Sequence, residues 1–385
     1  MASADWERQR MALRSPRQIL GPTFEEAGIA KEAARVRVRG AFVELLEQLQ
    51  VVLLVSREYE NLVVALRAQG GRLLQSFLPI PHPSGMALCR QRGRLYVAAT
   101  RNPNYLAEFI PVSSPHHPGS WWAQSRTKFY PGHYYFHDLV CDQGQLYANS
   151  VGQNGVIRVD FDRPEPEELC WWPRCVEDEQ GRPNTSLNYL QLNSIALGSP
   201  WDQSLLTASC AAPSRRRPWH LNYPVDGRGV LFSAATREVV GRGLTRPHSA
   251  RFFQGQVWVN NSGYGQLGYF QGDQFCPVWS FDSWTRGLAF HPAQVAWVGL
   301  SRVLPKYAHY APGLQAGRQC CGLVALCLRT RRVLGSLTWP SGNQIFAIEW
   351  ADAALSQGFP LQHIRPDQKR DREQHYRYQA QERKA

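Results

Sequence analysis

His137, His248 and Arg286 are the residues of this chain best suited to chemistry. Neutral imidazole is a common ligand of iron, copper and zinc near pH 7. A guanidinium offers a planar fork that matches carboxylate or phosphate. Each of the three opens a short phrase of one kind: His137-Asp-Leu-Val-Cys141, His248-Ser-Ala-Arg-Phe252 and Arg286-Gly-Leu-Ala-Phe290. Asn193-Ser-Ile-Ala-Leu197, Ser84-Gly-Met-Ala-Leu-Cys89 and Gln344-Ile-Phe-Ala-Ile-Glu-Trp350 repeat the pattern. His137, His248 and Arg286 are the catalytic candidates, with the two histidines as metal ligands. Asn193, Asn149, Asn260, Arg251 and Arg302 are the candidates for holding substrate. A third metal ligand would come from Asp138, Asn193, His133, His220 or His309. The competing reading is structural: polar residues at strand ends often satisfy backbone groups, and Arg286 or Arg251 can pair internally with Asp138 or Asp282.

Positioning such residues requires elements that recur. Five of the six phrases are followed by a second strand, at Arg94–Ala99, Gln145–Ser150, Ser204–Ser209, Gln256–Asn261 and Gln294–Leu300. A strand pair repeated along a chain is the mark of a radial array. The fold expected is all-β, a six-bladed β-propeller. Three strand-like runs precede the first phrase, at Val51–Ser56, Leu62–Leu66 and Arg72–Phe77, whereas none follows the last. The amino-terminal strands should therefore complete the blade whose inner strand comes from the carboxy terminus, which removes any open sheet edge. Outer strands are expected near Val156–Phe161 and Glu168–Trp172, Gly229–Ser233 and Arg237–Gly241, Gln266–Phe270 and Phe275–Ser280, and Leu323–Leu328 and Arg332–Trp339; the outer part of the first blade is the least regular. A short helix is expected over Ala41–Gln50 and another over Phe24–Arg35. The organisation read is a partly helical leader over 1–40, the propeller over 41–363, and a flexible charged tail over 364–385.

In a four-stranded blade the start of the inner strand and the end of the second lie on one face of the disc. That face therefore receives His137, Asn193, His248 and Arg286, together with Thr100-Arg101, Asn149-Ser150, Asn260-Asn261-Ser262 and Ser301-Arg302. Three long insertions empty onto it: 173–191, 211–228 and 303–321. Functional loops commonly gather at one end of a rigid scaffold in this way.

The phrases Pro247-His248-Ser249-Ala250-Arg251, Trp258-Val-Asn-Asn-Ser-Gly-Tyr-Gly265, Thr285-Arg286-Gly287-Leu288-Ala289-Phe290 and Val298-Gly-Leu-Ser-Arg302 resemble a bacterial family of propeller-like proteins classed as a domain of unknown function. The likeness spans roughly 41–352 and implies a fold without an activity. That family usually has His-Leu-Asn-Gly-Leu-Ala at its third inner strand, where this chain has Gln191-Leu192-Asn193-Ser194-Ile195-Ala196.

Composition narrows the classes. The net charge is +12, but about half of it sits in residues 1–40 and 364–385, which argues against a nucleic-acid surface. No apolar run is long enough to span a membrane and the first residues lack a secretory core, so a cytoplasmic protein is expected. The nine cysteines read as buried thiols without zinc spacing. Gly263-Tyr264-Gly265 is too short for a phosphate loop, so no nucleotide cofactor is expected. Calcium is disfavoured because carboxylates are missing from the mouth. Two readings of function follow. One is a metal-dependent enzyme using iron, copper or zinc, more oxidative than hydrolytic, acting on a small or peptidyl substrate. The alternative is a non-catalytic propeller scaffold that binds a peptide or anionic partner. The sequence leaves the oligomeric state open.

Overall fold

The computed structural model describes residues 31–362 apart from 102, 115, 116 and 316. Six antiparallel sheets form the six blades of a propeller. Blade 1 comprises Pro83–Cys89, Arg94–Ala99, Asn104–Ser114 and His117–Tyr130; blade 2, Phe136–Asp142, Gln145–Ser150, Gly155–Val159 and Leu169–Trp171. Blade 3 is built from Leu192–Ala196, Leu205–Ala208, Gly229–Ser233 and Val239–Leu244, and blade 4 from Pro247–Phe253, Gln256–Asn261, Gln266–Gln271 and Gln274–Ser280. Trp284–His291, Val295–Ser301, Gly322–Cys327 and Arg332–Thr338 make blade 5.

Blade 6 closes the ring as the strand inventory requires. Its inner strand is Ile348–Asp352, paired antiparallel with Val51–Arg57, and Leu62–Gln69 and Arg72–Pro79 follow outward. Val52 faces Ala351 and Val55 faces Ile348, so residues some 300 positions apart share one ladder. The expected inner strand over 344–350 begins later. Residues 346 and 347 are instead tied to Ser56, whose carbonyl accepts the Phe346 N–H at 2.8 Å and whose Oγ accepts the Ala347 N–H at 2.8 Å.

Three features depart from the sequence reading. The outer half of blade 1, expected to be the least regular, is a long hairpin in which Asn104–Ser114 and His117–Tyr130 pair through most of their length. Arg37–Gly40 adds a fifth strand to blade 5, and Leu361–Gln362 adds one to blade 6. Of the helix expected over 24–35, only the last part lies within the described residues, and there Lys31–Ala34 is a single 3-10 turn. The helix Phe42–Gln48 sits within its expected span and buries Phe42 and Leu46 between blades 5 and 6. The tail over 364–385 lies outside the described residues.

Apolar side chains meet between neighbouring blades rather than in one central core. Leu53, Val55, Trp297 and Trp339 pack between blades 6 and 5, and Ala98, Phe136, Leu139 and Ile157 pack between blades 1 and 2. Each blade alone would leave both faces wet, and burial of these faces at about 25 cal/mol per Å² drives closure.

Candidate functional site

One residue of each inner phrase stands at the axial mouth, the first in blades 1 to 5 and the third in blade 6. In blade order these are Ser84, His137, Asn193, His248, Arg286 and Phe346, all buried except His137, which is half-buried. Two local devices aim them. The pairing of inner and second strands slips by a bulge beside this position in blades 1 to 5, at Pro83/Met86, Ala148/Ser150, Leu192/Ser194, His248/Arg251 and Thr285/Leu288. Such bulges bend a strand and redirect a side chain. In blades 1 to 4 the residue two places earlier (His82, Tyr135, Gln191 and Arg246) is also left-handed, with φ between 43° and 53°. Gly287 follows Arg286 at φ +84°, a conformation that favours glycine, and an added Cβ would meet Ile348 Cγ1 at 2.9 Å.

His137, His248 and Arg286 converge. The Arg286 guanidinium lies over the Phe346 ring with its Cζ 3.3 Å from the centroid, and the His137 ring meets the same phenyl edge-on at 5.2 Å. Burial pushes the His137 imidazole down to about 3, and the charges of Arg286 and Arg101 push it the same way. Asn193 stands beside that ring and favours its protonated form, although Asn193 Oδ1 and His137 Nδ1 are both buried without a hydrogen bond of normal geometry. His248 is held well below the usual imidazole range by burial, then by Arg286, His137 and Arg246. Its Nδ1 lies 2.9 Å from the Arg246 carbonyl and 3.0 Å from Ser262 Oγ. A carbonyl can only accept, so Nδ1 carries the proton and Nε2 keeps its lone pair. Both imidazoles are therefore neutral.

Arg286 is a buried cation with little compensation. Its Nε has no partner, and its nearest carboxylate, Glu58, is 3.8 Å away and shared with Arg101 at 3.3 Å. Burial lowers its pKa to about 10, more than Glu58 and Tyr59 restore. Tyr59 lies among the same charges, its phenol pushed up to about 12 by burial and by Glu58.

The remaining candidates are engaged in the scaffold. Arg251 forms a bidentate pair with Asp138, at 2.7 and 2.9 Å, and donates to the Ile195 carbonyl at 3.2 Å. Asp138 Oδ2 also accepts the Ile195 N–H at 2.9 Å, so this pair joins blades 2, 3 and 4. Asn149 accepts from His137 N at 2.9 Å and Asp138 N at 2.5 Å and donates to the Leu192 carbonyl at 2.9 Å. Asn260 donates to the Gly287 carbonyl at 3.3 Å, leaving its Oδ1 buried without a partner. Arg302 donates to the Pro340 carbonyl at 2.8 Å. Ser194 and Ser249 make the same kind of inter-blade link, accepting from Ala250 N and Gly287 N at 2.9 Å each. The structural alternative thus accounts for Arg251, Asn149 and the Asn260 amide.

Sequence reasoning missed Phe346, Glu58, Tyr59 and Arg246. Phe346 was legible from alignment of Phe346-Ala-Ile-Glu-Trp350 with Arg286-Gly-Leu-Ala-Phe290. Glu58 and Tyr59 follow the second strand of blade 6, a position that the other blades had already marked. Arg246 is 2% exposed and carried no signal beyond its place two residues before His248.

Among the described residues, no group of three or more His, Cys, Asp or Glu is arranged to hold a metal. Of the expected third ligands, Asp138 is spent on Arg251, His133 is exposed, His220 packs against Trp219 at 5.6 Å and His309 against Tyr310 at 4.2 Å. A concavity of about 770 Å³ lies away from the axis, walled by Arg92, Arg126, Arg158, Asp160, Asp162 and Glu167. Of these, Arg126 and Asp162 pair at 2.6 Å. No described helix is long and apolar enough to cross a membrane.

Solved structures similar to this chain are propellers. A chain of the nidogen/laminin complex aligns with TM-score 0.53 and 9% identity, over 78% of this chain and 98% of that one, a likeness of fold alone. A luciferin-regenerating enzyme aligns at TM-score 0.45 and 10% identity over 68% and 77% of the two chains. A Thermus thermophilus protein provisionally assigned as an oxidoreductase (glucose dehydrogenase) aligns at 0.43 and 14% over 79% and 99%. These last two are too distant to carry an argument about activity. No curated protein is a match in sequence. The sequence profile of the family described as a domain of unknown function (DUF4915) matches residues 40–356, and the chain belongs to that family.

Proposed function

We propose that the axial mouth binds a small or peptidyl ligand through an anionic group, with Arg286 as the anchor and His137 and His248 as neutral partners for the ligand's polar atoms. One observation carries this reading: Arg286 is 8% exposed, its Nε is unpartnered, and its one ion pair among the described residues, with Glu58, is long and shared. A buried guanidinium of this kind gains most from an anion that arrives already desolvated. The low effective dielectric makes that attraction stronger than at the surface.

The same field weighs against a metal on His137 and His248. Arg286 disfavours positive charge on both imidazoles, and a divalent cation would meet the same repulsion. The donor set adds no carboxylate to offset it. His248 Nε2 is better placed to accept a hydrogen bond, or a proton, from a hydroxyl or ammonium next to the bound anion.

The test is calorimetric titration of the protein with acetate, succinate, glutarate and methyl phosphate, for wild type and Arg286→Gln. Saturable binding that weakens at least tenfold in Arg286→Gln supports the proposal. No anion binding, or binding indifferent to Arg286, overturns it. Elemental analysis separates the metal reading: stoichiometric iron, copper or zinc that is lost in His137→Ala/His248→Ala would replace the anion site with a metal centre.

A further inference from the structure

Resting on the anion-binding reading, a second feature narrows the ligand. The buried charges of the mouth do not balance. Arg57 faces Glu60 at 3.6 Å, and Arg101 and Arg286 share Glu58. Arg246, among the described residues, has no carboxylate partner at all. Its guanidinium is 2% exposed and is held only by neutral groups: Gln191 Oε1, the Pro218 carbonyl and the face of Tyr310, with Cζ 3.5 Å from that centroid. Its Nε is buried without a partner. Among the described residues, two guanidinium charges are thus in excess, with Arg246 lacking a carboxylate and Arg286 only sharing one.

Both excess charges bear on one residue. Arg246 supplies the carbonyl that orients His248 Nδ1, and its charge, like that of Arg286, acts on the His248 ring. The oxygens and ring around Arg246 come from three insertions of this face: Gln191 ends the first, Pro218 lies in the second, and Tyr310 ends the 3-10 turn Pro305–Tyr310 of the third. A buried cation solvated by dipoles alone is less well compensated than one facing an anion. It would therefore favour a second negative charge on the ligand, by contact or through the low-dielectric mouth.

We infer that the axial ligand is a dianion, with one negative charge on Arg286 and the second in the field of Arg246 across His248. A dicarboxylate and a phosphate monoester share this chemistry. The experiment pairs each dianion with a monoanion of nearly the same shape: succinate with monomethyl succinate, and methyl phosphate with dimethyl phosphate, at fixed ionic strength and pH 7.5. The expected result is at least a tenfold preference for one dianion over its monoester. The preferred pair identifies the source, carboxylate or phosphate. Arg246→Gln should collapse the preference to about twofold while monoanion binding persists, which also reports an intact fold. Arg246→Lys, keeping the charge without the fork, should retain most of it. If dianion and monoester bind equally to wild type, or the preference survives in Arg246→Gln, the inference is wrong while the anion site stands. If no anion binds, the site reading itself has failed.

Discussion

Replacing Arg286 by methionine should stabilise the protein while destroying its site. The guanidinium pKa is lowered to about 10 from 12.5. A base whose folded pKa lies below its unfolded one costs the fold stability wherever it is charged, and the cost disappears as pH rises through the folded value toward the unfolded one. Each unit corresponds to about 1.4 kcal/mol, so holding this charge costs roughly 3 kcal/mol at neutral pH. Methionine preserves much of the apolar stem beside Phe346 but loses a cation–π contact of about 1 kcal/mol. Glu58 keeps Arg101 as its partner. The net expectation is a gain of about 1–2 kcal/mol. A propeller of this size unfolds with an entropy near 0.7 kcal/mol per kelvin, so Tm should rise by about 1.5–3 °C. Differential scanning fluorimetry at pH 7.5, with and without saturating succinate, reads both effects. Succinate should raise the wild-type Tm and leave the variant unmoved. A variant destabilised by more than about 1 kcal/mol would show that Arg286 is compensated in place, and the reasoning for an anion site would lose its basis. Stability traded for a strained, uncompensated group is a familiar property of functional sites.

Three further outcomes follow from the geometry. Anion binding should proceed with little net proton uptake between about pH 7 and 8, because burial and the neighbouring guanidiniums hold the His137 imidazole down to about 3 and keep that of His248 well below its usual range; titration in buffers of different ionisation heat measures the uptake, and uptake of a full proton would show that an imidazole is charged rather than neutral in the complex. Asp138→Asn breaks the bidentate pair with Arg251 and should cost about 3–5 kcal/mol in urea unfolding, with anion affinity at low temperature within about twofold of wild type, since the pair joins blades without reaching the ligand. Gly85→Ala would put a Cβ 2.6 Å from the Asp138 Cα and should cost at least about 1–3 kcal/mol by forcing blades 1 and 2 apart; a neutral result would mean that the interface there is pliable.

The sequence by itself determined the ring. Six phrases with a strand partner, and three strands too many at one end against three too few at the other, admit one economical solution, in which Val51–Arg57 pairs with Ile348–Asp352. It also placed His137, Asn193, His248 and Arg286 on one face, because strand direction puts the first residue of those inner phrases there, but it did not reveal Phe346, Glu58, Tyr59 or Arg246 beside them. Tertiary structure decided what those side chains can do. Arg251 and Arg286 are the same residue type three positions apart in the repeat, yet one is neutralised by Asp138 from a blade two places away and the other is left nearly uncompensated. Asn149 and Asn193 look alike in sequence and both donate to the backbone of the next blade, but the Asn149 oxygen accepts from His137 N and Asp138 N while the Asn193 oxygen is left unpartnered beside His137. Periodicity records where a residue lies along a strand. Its charge balance is set by groups from other blades and loops, as Glu58 and Arg246 are, and no local pattern encodes their approach.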